Sequence, residues 1–157
     1  MDAEMQEALR DLPTLDFAAG DVIIAESKPA RSLFFLKSGV VDVFKGPTRV
    51  ATESMPGAVF GEMSLLLESS STATVCARQD SSFYFAEDGA AFLHAHPQVA
   101  LNIARLLATR LESITRYVAN VKEQCRQGSA HLDMVDDVVE ALMAKQPRRI
   151  ERKGRGH

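Results

Sequence analysis

The sequence has no tryptophan and, among its 157 residues, only two cysteines, Cys76 and Cys125. The two lie far apart without a Cys-x-x-Cys pair, so the sequence predicts neither a disulfide framework nor a zinc site. The sequence has four histidines, and none of them falls within residues 14–86. Since no Ser-His-Asp or Cys-His arrangement is evident either, we predict no metal, no resident cofactor and no enzymatic activity.

Long apolar runs are missing as well. The longest uncharged stretch, residues 89–104, contains two histidines, a proline, a glutamine and an asparagine, and is too polar to cross a bilayer. The first four residues are acidic and lack the basic and apolar pattern of a secretory signal. We therefore expect a cytoplasmic protein that does not contact a membrane.

A surplus of basic charge is also absent. The sequence holds 18 lysine and arginine residues against 21 aspartate and glutamate residues, which gives a net charge of −3. Five of the basic residues and one acidic residue lie in residues 147–157, so residues 1–146 carry a net charge of −7. An acidic body argues against general nucleic-acid binding. The basic segment 147–157 lacks apolar periodicity and is predicted to be a disordered tail.

Residues 14–86 are rich in short β-branched and aromatic runs that turn residues separate at intervals of about ten. The predicted strands are residues 22–24, 33–36, 40–44, 49–51, 73–76 and 83–85. Short strands at this spacing are typical of a β-sandwich or a barrel.

Helical patterns flank this region. We predict helices at residues 5–12, 88–96 and 134–144, and a long helix of almost thirty residues from Gln98. Its apolar positions alternate in steps of three and four: Ala104, Leu107, Leu111, Ile114, Val118, Val121 and Cys125. This spacing favours pairing of two such helices in a homodimer, because so long a helix would extend beyond its own β-domain. The alternative is a helix that packs only against that domain.

The segment from Phe60 to Leu66 carries the chemistry. Gly61 permits a close backbone approach, and a short helix behind it would offer free N–H groups to an anion. Glu62 can accept a hydrogen bond from a sugar hydroxyl, and Ser71 and Thr72 can supply hydroxyl donors. Together they predict a cradle for a phosphorylated sugar. The alternative is a structural turn in which the leucines 65–67 pack into the barrel.

The chain resembles the cyclic-nucleotide-binding domain family, which includes catabolite activator proteins and protein kinase A regulatory subunits, over roughly residues 12–120. Four motifs in order carry the resemblance: Phe17-x-x-Gly20-Asp21-Val22-Ile23, Leu33-Phe34-Phe35-Leu36-x-Ser38-Gly39-Val40-Val41-x-Val43, Pro56-Gly57-x-x-Phe60-Gly61-Glu62-Met63-Ser64-Leu65-Leu66 and Thr72-Ala73-Thr74-Val75. The resemblance implies a mostly β fold, a double-stranded β-helix (jelly roll) with an N-terminal helix and a long C-terminal helix. We expect this domain at 12–120, the helix end and a short helix at 121–146, and the tail at 147–157.

The resemblance also implies roles for residues. Gly61, Met63 and Ser64 would offer backbone amides to the cyclic phosphate, Glu62 would bind the ribose 2′-hydroxyl, and Thr72 would reach the phosphate or the base. The complete predicted nucleotide site is Phe60, Gly61, Glu62, Met63, Ser64, Ser71, Thr72 and Ala73. On the long helix, Leu111, Ser113 and Thr115 are the candidate base contacts, the alternative for the two hydroxyl residues being a solvated position.

One position departs from the family. Where family members normally carry the arginine that neutralises the phosphate, nine residues after Glu62, this sequence has Ser71. A charge-assisted hydrogen bond is worth roughly 1.5–3 kcal/mol, so its loss predicts binding weaker by about ten- to hundredfold. Three interpretations follow: cAMP or cGMP binds weakly or with a substitute cation such as Arg31, Arg78 or a basic residue of the long helix; a less charged, nucleoside-like ligand binds; or the domain is a protein-interaction and assembly module.

A DNA-binding member of this family would need a winged helix-turn-helix of about seventy residues after the long helix, and only about thirty residues follow Gln127. We therefore expect no specific DNA binding. The sequence predicts a non-enzymatic sensor that passes its ligand state through a C-helix dimer to a downstream protein that the sequence does not identify.

Overall fold

The structure is a computed structural model that describes residues 1–126 and 131–144. The helices and strands within these residues are α1 (Ala3–Leu9), β1 (Thr14–Phe17), β2 (Val22–Ile24), β3 (Leu33–Ser38), β4 (Val41–Lys45), β5 (Thr48–Glu53), β6 (Val59–Phe60), α2 (Glu62–Leu67), β7 (Thr74–Ala77), β8 (Ser81–Ala86), α3 (Gly89–Ala95), α4 (Pro97–Cys125) and α5 (His131–Ala144). The predicted tail at 147–157 lies outside the described residues.

The strands form two antiparallel four-stranded sheets, one in the order β1-β8-β3-β6 and the other in the order β2-β7-β4-β5. Strands distant in sequence pair with one another in both sheets, as in the pairing of Phe34 with Phe85 and of Phe44 with Thr74. The predicted mostly β jelly roll, with an N-terminal helix and a long C-terminal helix, is confirmed.

Some boundaries differ from the predictions for local reasons. Helix α1 begins earlier than expected because the Asp2 side chain accepts a hydrogen bond from the Met5 amide and caps the helix. The long helix α4 begins at Pro97, one residue before the predicted start at Gln98. A proline is tolerated at the first position of a helix, because its missing N–H would have no partner there. Strand β1 was not predicted, because Thr14-Leu15-Asp16-Phe17 forms an edge strand that is mostly exposed.

Aromatic side chains fill the space between the sheets. Phe83 has no exposed surface, and the rings of Phe17, Phe34 and Phe60 lie edge-on to it with centroids 5.7, 6.1 and 6.1 Å away. Edge-to-face geometry is favourable because the positive ring edge meets the negative ring face. The packing of Phe60 matters for function, since it fixes the end of β6 directly before Gly61.

The described chain divides into two compact units, and the division falls within α4. The first unit, Met1–Arg105, contains both sheets and the short helices α1, α2 and α3. The second begins at Leu106 and contains the rest of α4 and α5. Among the described residues, no helix is both long enough and apolar enough to cross a membrane.

Candidate functional site

The segment between β6 and β7, residues 61–73, holds most of the predicted site. Gly61 precedes α2 with φ +91°, a conformation that a residue with a side chain rarely adopts. A β-carbon at this position would lie 2.6 Å from the Ser32 carbonyl oxygen, closer than packing allows. The glycine is therefore required twice, for its backbone angle and for the approach of the segment before β3.

Helix α2 buries its polar residues rather than its leucines. Glu62 and Ser64 are only 5% and 3% exposed, whereas Leu66 and Leu67 are 51% and 62% exposed. The alternative prediction, that leucines 65–67 pack into the barrel, is therefore wrong for the last two. The two most buried residues of this helix are therefore polar.

The Ser64 side chain is satisfied within this helix. Its hydroxyl donates to the Gly61 carbonyl oxygen at 3.2 Å, and the same oxygen accepts from the Leu65 amide at 3.1 Å. The Met63 side chain points outward and is partly exposed. The Gly61–Ser64 part of the site is thus held by its own backbone and by the core beneath it.

Ser71 lies at the other end of the segment and is 5% exposed. Its backbone is fixed on both sides, because its amide donates to the Lys28 carbonyl and its carbonyl accepts from the Ser27 amide. Its hydroxyl, in contrast, has no hydrogen-bond partner among the described residues. A buried hydroxyl without a partner costs about 1–3 kcal/mol, so this oxygen is exceptional in a folded domain.

A chain of polar contacts lies beside Thr72. The Lys45 ammonium donates to the Thr72 carbonyl oxygen at 2.5 Å and pairs with Glu26 at 3.1 Å. The Glu26 carboxylate also accepts from the Gly46 amide at 2.9 Å, and the Glu26 amide donates to the Thr74 hydroxyl. The hydrogen bonds from Gly46 and then Lys45 lower the pKa of Glu26, so the carboxylate is charged at neutral pH.

The two named substitutes for the family's arginine lie elsewhere in the first unit. Arg78 stands 3.9 Å from Asp42 on β4. Arg31 lines a cleft of about 910 Å³ on the side of α2, together with Ser64, Leu65 and Glu68. Glu87 and Asp88 line the same cleft, so its charge is mainly acidic and does not suit a phosphate.

Sequence reasoning did not identify Lys45 and Glu26. Lys45 ends β4 before a Gly-Pro turn, which indicates an ordinary exposed strand end. Its contact with Thr72 exists because β4 pairs with β7 in the register that places Phe44 opposite Thr74. That register joins residues about thirty positions apart, and nothing local in the sequence reports it.

Metal-ligating residues do not gather anywhere in the described part of the chain: within residues 1–126 and 131–144, no group of three or more His, Cys, Asp or Glu side chains could hold an ion. The candidate site offers backbone amides, a carboxylate and hydroxyls, with one lysine beside them. This donor set fits a small polar ligand with both sugar and anionic groups.

Comparison with known proteins identifies a family and several similar proteins. The family described as cyclic nucleotide-binding domain matches residues 14–93, which include the whole segment from Gly61 to Ala73. The cyclic AMP receptor protein of Thermus thermophilus is 36% identical over 101 residues, which make up 60% of this chain and 47% of that protein. A cAMP-dependent protein kinase regulatory subunit of Hypocrea atroviridis is 42% identical over 69 residues, 44% of this chain and 15% of that protein.

Among solved structures, the crystal structure of Thermus thermophilus catabolite activator protein superposes with a TM-score of 0.63 at 27% identity, covering 91% of this chain and 84% of that chain. The two curated relatives align over less than half of their own length, so what they do as whole proteins does not transfer directly. The matching family is a binding domain and not a catalytic one. By sequence match and by fold, the chain belongs to the cyclic nucleotide-binding domain family.

Proposed function

We propose that the protein binds a cyclic nucleotide, cAMP or cGMP, in the segment between β6 and β7, and that it does so without catalysing a reaction. The observation that carries the proposal is the Ser71 hydroxyl, which is buried and has no partner among the described residues. A phosphate oxygen of a bound nucleotide would satisfy it. The hydroxyl also lies within residues 14–93, which match the cyclic nucleotide-binding domain family, and this supports the same ligand class.

Each predicted residue has a role in this proposal. The amides of Gly61, Met63 and Ser64 face the cyclic phosphate, since the first amides of a helix have no partner within it. Glu62, which is 5% exposed, accepts a hydrogen bond from the ribose 2′-hydroxyl. Thr72 reaches the phosphate or the base.

The remaining predicted residues, Phe60 and Ala73, flank the segment. Phe60 packs against the core ring of Phe83 and so holds the first end of the segment in place. Ala73 precedes β7 and is partly buried beside Thr72. Neither offers a polar side chain, and both are expected to shape the site rather than to bind charge.

Ligand state is passed on through α4 in a homodimer. Leu111 and Ile114, two members of the predicted seam, are 50% and 56% exposed, and both lie in the second unit. Apolar side chains repeating every three and four residues on a helix favour a second copy of the same helix. A difference of a few kcal/mol in affinity between two dimer arrangements suffices to relay binding to a downstream protein.

A second candidate function is an assembly module that binds no cyclic nucleotide. The exposed apolar face of α4, which includes Leu111, Ile114 and Tyr117, favours it, as does the absence of the arginine. A nucleoside-like ligand held by Glu62 and the hydroxyls is the intermediate case, because it needs no cation.

Isothermal titration calorimetry with cAMP, cGMP and adenosine separates these functions. We expect one of the cyclic nucleotides to bind with a Kd of about 1 μM or higher, because the phosphate lacks its arginine. Sub-micromolar affinity would contradict the weight placed on Ser71. Tighter binding of adenosine would assign the site to nucleosides. Heat from none of the three, with a dimer in analytical ultracentrifugation, would establish the assembly module instead.

A further inference from the structure

We infer that Lys45 supplies positive charge to the phosphate of the bound cyclic nucleotide, in place of the arginine that the segment lacks. The inference rests on the proposed function and adds a residue from another strand to the site. Lys45 reaches the segment directly, since its ammonium lies 2.5 Å from the Thr72 carbonyl oxygen. Thr72 follows Ser71, whose buried hydroxyl has no partner among the described residues. The residue that the cation contacts thus directly follows the residue with the unsatisfied hydroxyl.

The placement of Lys45 follows from the sheet. Strand β4 pairs with β7 through Phe44 and Thr74, so the residue after Phe44 extends toward the residues that precede β7. Among the candidate cations, Arg78 is directed to Asp42, and Arg31 lines an acidic cleft. Lys45, by contrast, donates a hydrogen bond to the backbone of the Ser71–Ala73 stretch.

Glu26 holds this lysine in the unliganded protein. Its carboxylate lies 3.1 Å from the ammonium, and it is fixed in turn by the Gly46 amide. The lysine side chain is 62% exposed and the carboxylate 26%, so water screens the pair and a phosphate can compete for the ammonium. Without ligand, the Lys45 ammonium pairs with the Glu26 carboxylate. When the nucleotide is bound, the ammonium interacts with both the carboxylate and the phosphodiester.

Substitutions at both residues give effects of opposite sign. Lys45→Gln keeps a donor for the Thr72 carbonyl and removes the charge, and we expect it to weaken cAMP or cGMP binding about three- to tenfold. Lys45→Arg restores the charge and is expected to bind within about twofold of the original protein. Glu26→Gln keeps an acceptor for the Gly46 amide and frees the ammonium, so it is expected to tighten binding about two- to threefold.

Calorimetric titration of the full chain at low salt measures these effects. Lys28→Gln is the matched control: it removes the same charge from an exposed residue whose carbonyl contacts Ser71. An equal loss of affinity in this control would show that the effect comes from the overall charge of the protein, and it would overturn the assignment of Lys45. Unchanged binding in Lys45→Gln, with the original protein binding the nucleotide, would overturn the role of Lys45 and leave the proposed function intact. Absence of binding in the original protein would overturn both. Thermal unfolding confirms that each variant folds.

Discussion

The two ends of the segment between β6 and β7 are built on different principles. The Gly61–Ser64 end is fixed by its own backbone, with a glycine of positive φ, a buried carboxylate and a satisfied serine hydroxyl. The Ser71–Thr72 end is fixed by parts of the chain distant in sequence: the backbone of residues 27–28, which follow β2, and the ammonium of Lys45 at the end of β4. The first end retains the family's motif, and the second end carries the departure from it. If Lys45 serves the phosphate as inferred, the site keeps its local geometry at the first end while its positive charge comes from a different strand.

The largest effect is expected from a substitution that disrupts the Gly61–Ser64 end of the segment. Gly61→Ala places a β-carbon 2.6 Å from the Ser32 carbonyl oxygen and strains a φ of +91°. We expect a loss of about 2–5 kcal/mol in the free energy of unfolding, from conformational strain and overpacking together. Urea denaturation followed by circular dichroism measures it.

The chain contains a matched control for this substitution. Gly20 has the same φ of +91°, but a β-carbon there would meet no atom within 4 Å. Gly20→Ala should therefore lose only the strain, about 1–2 kcal/mol. If the two variants lose the same stability, the close approach to Ser32 does not constrain the first end, and the comparison between the two ends fails.

The second largest effect is expected from a substitution that restores the missing positive charge at the Ser71–Thr72 end. Ser71→Arg should tighten cAMP or cGMP binding about ten- to hundredfold and leave adenosine binding unchanged, because the guanidinium acts on the phosphate. Calorimetry measures both ligands. Ser70→Arg adds the same charge at the adjacent exposed residue and should give a much smaller gain. Equal gains at both positions would mean that the slot has no special geometry.

Much of the fold follows from local pattern, and the site does so only in part. The predicted strands 22–24 and 83–85 formed because β-branched and aromatic runs bury well, and Gly61 could be singled out because only glycine suits such a turn. Strand β6 is two residues long and has no periodicity to detect. The contact of Lys45 with Thr72 depends on the register between β4 and β7, which is a property of the whole sheet.

The smallest expected effect compares two buried serines, one at each end. Ser64→Ala removes a hydroxyl that donates to the Gly61 carbonyl, at a cost of about 1 kcal/mol that the better helix propensity of alanine offsets by half. Ser71→Ala removes a hydroxyl without a partner, so the unliganded protein should become more stable by up to about 1 kcal/mol. Thermal unfolding of both variants tests this difference in sign.

The two variants are also expected to differ in how strongly the nucleotide stabilises them. If the phosphate accepts from the Ser71 hydroxyl, Ser71→Ala should gain less thermal stability from cAMP or cGMP than the original protein, because the ligand loses a hydrogen bond of about 1 kcal/mol. Ser64→Ala should keep its full ligand response, since its hydroxyl is already engaged by Gly61. A destabilised unliganded Ser71→Ala variant would show that this hydroxyl has a partner in solution. The Ser71 hydroxyl would then be satisfied without ligand, as the Ser64 hydroxyl is, and the two ends of the segment would not differ in this respect.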